Sequence, residues 1–579
     1  MTMESTLRAG RPAASERASG HRAAHLAGVG VLTALIAAVY SVFSLFLNYT
    51  FKSSAYDLVI FDEAVRSYAH FRPGISIIKG VHNGFGPNFS VLGDHFSPII
   101  ASLAPLYWIY NRPETLLVAQ AVLFALAIPP LWIFTRRAFG GGGKATAAAY
   151  LVCLAYGLSW PLASAAAFDF HEVAFAPVLT AVALERLQAG RLRSALIALA
   201  FLLLVKEDMG LFVAGIGCYL AVSRRVVRRQ WLVAIALVVV GVVYTAFATY
   251  VLIPAFGGNA NYYWAYSNLG RDAPQVAWHL ITHPLSSLRL LITPQVKLDT
   301  MLWLVGAFCF LPLLSPLVIA AIPLLFERML NSKYPNWWVT QYQYNAYLVV
   351  LLVCAAVDGA ARLDRWATWA WRYLAGGSRR PAPAAPAPAP APAAADSPAG
   401  AVAGEGAAAG GGAEPSPVCA AAGPARTLAS RGTGVVALGC AAAMCAVALY
   451  AIPKFALEPA LHSSFYQRTA WMDAAAAAAA TVPSGVTVQV SNHLAPHLSG
   501  RDAVLLWDGD GKHPPLRPLW IVADVTVRQF TFTSVRQQID IVRQLERSGY
   551  RDVFYRDGYI VLHRVGASGG TTSARGIRK

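Results

Sequence analysis

Three carboxylates open the first polar stretch of the chain. Asp57, Asp62 and Glu63 fall within seven residues of the segment YDLVIFDEAVRSYAHFRPG. If the stretch is helical, Asp62 lies five residues after Asp57, and Arg66 lies four after Asp62 on the same face. Carboxylates grouped this way can take a proton from an attacking hydroxyl, or hold a divalent metal through oxygen. The plainer reading is solvated loop charges with capping roles. GDHFSP follows at 93–98. There Asp94 or Ser97 would suit the cap of a helix starting at Pro98, and the pair Asp94-His95 would equally suit a site.

Two further clusters interrupt apolar sequence. In FDFHEVAF, the ionisable residues Asp169, His171 and Glu172 need water or partners, and their spacing matches no standard zinc motif. Lys206-Glu207-Asp208 is physically the most demanding feature. Each charge at mid-membrane costs at least about 2.5–3.5 kcal/mol. A re-entrant turn with Lys206 paired to a carboxylate would relieve that cost. A cavity for a charged ligand would use it, and the cavity position is the reading adopted. Later segments are aromatic: Asn261-Tyr262-Tyr263-Trp264, then Trp337-Trp338 with Tyr342, Tyr344 and Tyr347. An interfacial aromatic belt explains these, and stacking on sugar rings or bases is the sharper alternative.

These residues sit in a chain that soluble folding does not accommodate. Of its 579 residues 56% are hydrophobic and 13% charged, where soluble domains carry about 25% charged residues. Single cores stop growing at about 250–300 residues, whereas a bilayer takes about 20 apolar residues per spanning helix. The net charge of +17 is not gathered into one patch, which argues against nucleic acid. Arg and Lys instead recur in short clusters between apolar runs, as in cytoplasmic loops of membrane proteins. The seven cysteines show no CxxC spacing and read as small hydrophobes.

A basic tail at 1–26 precedes an apolar run at about 27–47, longer than a signal-peptide core. Further runs lie near 99–110, 115–135, 145–165, 173–189, 194–222, 231–254, 298–326, 343–360 and 433–452. Runs 194–222 and 298–326 must each cross twice as short helical pairs, broken by Lys206-Glu207-Asp208 and by Pro312 and Pro316. The expectation is an α-helical polytopic protein with about 10–13 membrane helices, its multi-spanning part covering 27–365. Placing the Arg clusters in the cytoplasm puts the N-terminus there, and puts 49–98, the Phe168–Glu172 turn, 255–297, 327–342 and everything after 453 outside. The Ala/Pro/Gly-rich stretch 366–432 reads as a disordered cytoplasmic linker before the last span at 433–452. Its Ala/Pro/Gly bias also points to a GC-rich bacterial genome, and the expected location is the cell (plasma) membrane, crossed several times.

The region 453–566 reads as a small extracytoplasmic α/β domain, followed by a disordered tail at 567–579. VTVQVSNHL, AVLLW, PLWIVADV, VFYR and YIVLHR are strand-like, a helix is expected around Ser534–Ser548, and Asp557-Gly558 marks a hairpin turn.

Seven blocks occur in order: YDLVIFDEA, GDHFSPIIASLAPLYWI, DFHEVAFAPVL, LVKEDMGL, FLPLLSPLVIAAIPLLFERMLNS, YQYNAY and LAPHLSGRD. With them the chain resembles the prokaryotic membrane-protein family known as domain of unknown function 2079, over about 30–365 and 485–525. The Ala/Pro linker is an insertion relative to that pattern. That family is similar in layout to type C glycosyltransferases, multi-spanning enzymes that use a lipid-phosphate-linked sugar on the outer face. Their acidic residue in the first outer loop corresponds to Asp62-Glu63-Ala64 here, with Asp57 a second candidate.

The resemblance implies a membrane glycosyltransferase with a polyprenyl-phosphate-linked sugar donor. Asp62, Asp57 and Glu63 are then the candidate catalytic carboxylates. Asp94, His95, Asp169, His171, Glu172, Lys206, Glu207, Asp208, Lys333 and Tyr342 are the candidate substrate contacts, with Arg66 and Arg271 as further cations. A divalent metal ion is left open as a cofactor. The expected partners are the bilayer and the lipid-linked donor, with no nucleic acid. A transporter and a non-catalytic envelope assembly protein are the competing readings. Asp62, Asp94, Asp169 and Lys206 are expected to border one outward-facing cavity.

Overall fold

The computed structural model describes residues 11–223, 228–374, 434–509 and 518–564. Most of the stretch expected to be a disordered linker, and the whole 567–579 tail, lie outside the described residues. The helix Ala346–Leu374 continues past the boundary drawn at 365.

Apolar composition forms the helices, and length decides which of them can span. Six among the described residues are long and apolar enough to cross a membrane: Ala23–Tyr49, Glu114–Ala138, Gly142–Ala167, Gln230–Ala255, Gln343–Leu374 and Val435–Lys454. Pro98–Ile109, Leu192–Leu203 and Met209–Val222 are apolar but shorter. The run 194–222 breaks at Lys206-Glu207-Asp208, between Leu192–Leu203 and Met209–Val222. The Pro-interrupted run becomes helix Gln295–Gly306, two 3-10 turns at Leu311–Leu314 and Pro316–Ala321, and helix Ile322–Leu330. Proline lacks the N–H that would continue the ladder there.

Small residues let the helices approach. A Cβ on Gly210 would lie 2.3 Å from the Gly241 carbonyl oxygen, and one on Gly241 2.2 Å from that of Gly210. Helices Met209–Val222 and Arg228–Phe247 therefore pack backbone to backbone. Tyr40 Oη donates to the Gly157 carbonyl at 2.7 Å, and Ser44 Oγ to that of Ala166 at 2.9 Å, tying the first span to helices Gly142–Gly157 and Trp160–Ala167.

Among the described residues, basic side chains collect at one end of the bundle. Arg137 pairs with Glu185 at 2.8 Å, Lys144 packs beside Gly434, and Asp364 accepts from the N–H groups of Gly434 and Val436. At the other end the polar loops meet the C-terminal domain. That domain carries a five-stranded sheet: β1 Thr487–Val490, β2 Ala503–Leu506, β3 Trp520–Asp524, β4 Tyr550–Arg556 and β5 Tyr559–Arg564. The order is β2-β1-β3-β5-β4, with β1 parallel to β2 and β3, and β5 antiparallel to β3 and β4. The Asp557-Gly558 turn has positive φ at both residues, 45° and 80°, as a tight hairpin requires. Helix Val535–Arg547 starts at Ser534, whose hydroxyl caps the Gln537 N–H.

Candidate functional site

The first polar loop is held from three sides. Asp62 begins the amphipathic helix Ile60–Ala69 and is fully buried. Both its oxygens accept from Arg66 Nη2 at 2.8 Å, and Tyr107 Oη donates to one of them at 2.8 Å. Arg66 also donates to the Ser499 carbonyl at 2.8 Å and to Asn111 at 2.7 Å. The i, i+4 spacing thus forms a clamp that fastens the loop to the C-terminal domain, away from the cavity described below. Glu63 accepts from Ser76 Oγ at 2.9 Å and from the Ile78 N–H at 3.0 Å, capping the short helix Ile77–His82.

Burial pushes the Glu63 carboxyl up to about 7, against the pull of those two hydrogen bonds. A carboxyl raised in the folded state stabilises the fold at low pH and loses that contribution as pH rises through its folded value. The window here runs from the ordinary value of 4.5 to about 7. Glu63→Gln keeps an acceptor oxygen. The thermal midpoint of the variant should therefore fall less than that of the parent between pH 5 and 8. Parallel curves in a thermal-shift titration would contradict this.

Asp57 is held differently. Its φ is 98°, a conformation L residues adopt rarely and at a cost, and its side chain stays 27% exposed. Asn492 of the C-terminal domain fixes the turn, accepting from the N–H groups of Ala55 at 3.1 Å and Tyr56 at 3.3 Å. His171 Nε2 lies 3.5 Å from Asp57 Oδ2, and neither ring nitrogen of His171 has a hydrogen-bond partner among the described residues. Asp169 also has a positive φ, 56°. It accepts from Ser54 N–H at 2.9 Å and Ser54 Oγ at 3.0 Å, which braces the same turn. Burial raises its carboxyl to about 6.

Beyond this turn lies a cavity of about 480 Å³. One part of its lining is charged: Asp94, His95, Lys206, Glu207, Asp208, Glu327 and Arg328. The rest is largely apolar, from Val242 to Ile253 on one helix, Ala273 to Leu280 on another, and Pro323 and Phe326 on a third. Among the described residues Lys206 makes only long ion pairs, 3.6 Å to Glu172 and 3.9 Å to Asp208. Glu172 Oε2 and Asp208 Oδ1 are buried with no hydrogen-bond partner among the described residues. Glu207 is committed instead, to His95 Nδ1 at 2.7 Å and the Phe96 N–H at 3.1 Å. Arg328 is also committed, to the Trp337 carbonyl and to Asn345 Oδ1 at 3.0 Å. Asp57 does not itself line the cavity; the adjacent residues His171 and Glu172 link the two, His171 lying 3.5 Å from Asp57 and Glu172 3.6 Å from Lys206 in the cavity lining.

Of the four residues expected around one cavity, Asp94 and Lys206 line it. Asp169 stands behind the Asp57 turn, and Asp62 is sealed in its clamp. Asp94 does not cap the helical turn that starts at Pro98. It pairs with Lys79 at 2.9 Å and accepts from Tyr263 Oη at 2.7 Å. Burial alone would raise the Asp94 carboxyl, but Lys79 and His95 more than offset that and hold it below the usual carboxylate range. Ser97 makes no side-chain cap either. Lys333 and Arg271 are exposed and do not line the cavity, and Tyr342 packs against Phe168 at 4.5 Å. Among the described residues no group of three or more His, Cys, Asp and Glu is arranged to hold a metal ion.

Four contributors were not singled out from sequence. Lys79, alone in the apolar stretch ISIIKGV, and Glu327-Arg328, closing a long apolar run, carry the signal that marked Lys206: charge inside apolar sequence. Asn492 carries no such signal, because its partners Ala55 and Tyr56 lie 437 and 436 residues away.

No curated protein sequence matches the chain. A solved structure of ArnT from Cupriavidus metallidurans, bound to undecaprenyl phosphate, is similar to it at 13% identity and a TM-score of 0.46. That match covers 94% of this chain and 99% of that one. The family model described as "Predicted membrane protein (DUF2079)" matches residues 47–378, more than half of the chain. The chain therefore belongs to the DUF2079 family of membrane proteins.

Proposed function

We propose that this protein is a membrane transferase that takes a sugar from a polyprenyl-phosphate carrier. The observation that carries this reading is the two-sided cavity, in which an apolar wall meets a charged floor whose lysine makes, among the described residues, only ion pairs of 3.6 and 3.9 Å. A phosphate on a long hydrocarbon tail has the same two-sided chemistry. The tail fits beside Val242–Ile253 and Ala273–Leu280, and the phosphate fits at Lys206. Charged groups in an apolar site act at low effective dielectric, so one cation there has a large effect on a developing phosphate charge.

The carboxylate best suited to the acceptor is Asp57 rather than Asp62. It is partly open, conformationally strained and backed by His171. In the proposed step the acceptor hydroxyl loses its proton to Asp57 as its oxygen bonds to the sugar C1. The C1–O bond to phosphate breaks, and the lipid phosphate leaves with the electron pair beside Lys206. The bundle end that carries the Arg clusters faces the cytoplasm, so the cavity and the C-terminal domain face outward.

Binding of undecaprenyl phosphate to the full chain in nanodiscs tests this reading. A charge-assisted contact contributes about 1.5–3 kcal/mol, so Lys206→Gln should weaken binding by about 10- to 100-fold. Equal binding by the parent and Lys206→Gln, both folded, would remove the phosphate from this cavity. A solute-uptake defect with unchanged glycans would favour a transporter instead.

A further inference from the structure

The segment 255–297, read from sequence as a polar outer loop, contains two helices, Ala273–Thr282 and Pro284–Ile292. Both are apolar on two faces. The inner face uses Val276, Leu280, Leu290 and Leu291, which pack with Met329 and Leu330. Val276, Ala277 and Leu280 also line the cavity. The outer face carries Trp278, Ile281, Leu285, Leu288 and Ile292, at intervals of three or four residues. Trp278, Ile281 and Leu285 are 68%, 73% and 82% exposed, far above what water-facing aromatic and aliphatic side chains need. Gln275, His279 and Arg289 keep the two helices amphipathic, and an amphipathic helix with its apolar face uncovered belongs at a membrane interface.

What covers the outer face is indicated by continuity. The span Gln230–Ala255 lines the same cavity through Val242, Thr245, Thr249 and Tyr250, while its neighbours Val239, Val240, Val243 and Val251 are exposed. The hairpin and this span therefore wall one cavity and both expose apolar side chains on their other faces.

We propose that the hairpin 273–292 lies embedded in the membrane interface. Its outer face sits in acyl chains, and the gap between it and the span Gln230–Ala255 is a side door through which a lipid tail passes from the bilayer into the cavity. The embedding stands alone; the use of the door by a polyprenyl carrier rests on the transferase reading. The proposal assigns the apolar residues two duties, outward anchoring and inward lining, which explains a loop this apolar between polar segments.

The test uses the full chain in nanodiscs of phosphatidylethanolamine and phosphatidylglycerol, with a phospholipid bearing a diazirine on its acyl chain as probe. Photolabel mapped by mass spectrometry should appear on Trp278, Ile281, Leu285 and Leu288 as heavily as on the exposed valines of the span Gln230–Ala255. It should be absent from the helix Val535–Arg547. Hydroxyl-radical footprinting from water should give the reverse pattern. A hairpin oxidised from water and free of lipid label overturns the embedding. Label should also reach Val276 and Leu280, and Ala277→Trp, which narrows the gap, should abolish label on Leu211 and Thr245 while leaving the outer face labelled. An outer face labelled with an unlabelled cavity overturns the door. That result leaves the transferase reading standing, whereas loss of undecaprenyl phosphate binding with the lipid pattern intact counts against the transferase reading alone.

Discussion

Asp57→Asn should lower sugar transfer by about 10²–10⁴-fold, the contribution of a positioned base, while the protein folds and inserts as before. Asparagine has the same size and branching as aspartate, so it meets the strained turn (φ 98°, ψ −66°) at no added steric cost. The Asn492 bonds go to the N–H groups of Ala55 and Tyr56, which the substitution does not touch. What disappears is the proton-accepting oxygen beside His171. His171→Gln should give a smaller loss, since the imidazole only orients the carboxylate. The comparison is between single-turnover rates, with undecaprenyl phosphate binding measured alongside. Binding should be unchanged in Asp57→Asn, because the phosphate contact is assigned to Lys206. A loss of binding matching the loss of rate would mean that Asp57 holds the donor and is not the base.

Asp62→Ala should instead act on stability. It strips a fully buried carboxylate from an arginine whose side chain is only 17% exposed, and orphans the Tyr107 hydroxyl. Removing one partner of a buried pair costs about 3–5 kcal/mol, because the other charge stays behind. Arg66 also holds the Ser499 carbonyl, so the C-terminal domain should loosen with the loop. Limited trypsin digestion should release that domain faster, and the thermal midpoint should drop. Arg66→Met should fall by a comparable amount, and the double variant by less than the sum, as expected for residues in direct contact. A folded, fully stable Asp62→Ala with no transfer activity would return the base to Asp62.

The different surroundings of these two aspartates mark where sequence stops informing. The spacing of Asp62 and Arg66 was visible, and so was their shared helical face. What spacing cannot supply is the third partner, Tyr107, 45 residues away, or the Ser499 carbonyl, 433 residues away. Asp57 looked like the lesser candidate because its distinguishing feature is a backbone angle, fixed by Asn492 from across the chain. Local signals did better. The β-branched runs and Asp557-Gly558 marked the strands and hairpin of the C-terminal sheet, since pairing there depends on alternation and turn chemistry. The Lys206-Glu207-Asp208 break was legible because charge inside apolar sequence demands a cavity or partners. The hairpin 273–292 was not, because His283-Pro284 interrupts its period and the flanking polar residues mask two short apolar helices.

On the proposed reading, the cavity end of the bundle discharges a lipid-linked sugar. The most direct measurement follows a radiolabelled polyprenyl-phosphate sugar in proteoliposomes holding the full chain and supplied with envelope extract as acceptor. Label should leave the lipid-extractable fraction for the envelope fraction with the parent protein, and stay in lipid with Asp57→Asn and Lys206→Gln. Label that stays in lipid with the parent, or moves equally with all three, would contradict that reading.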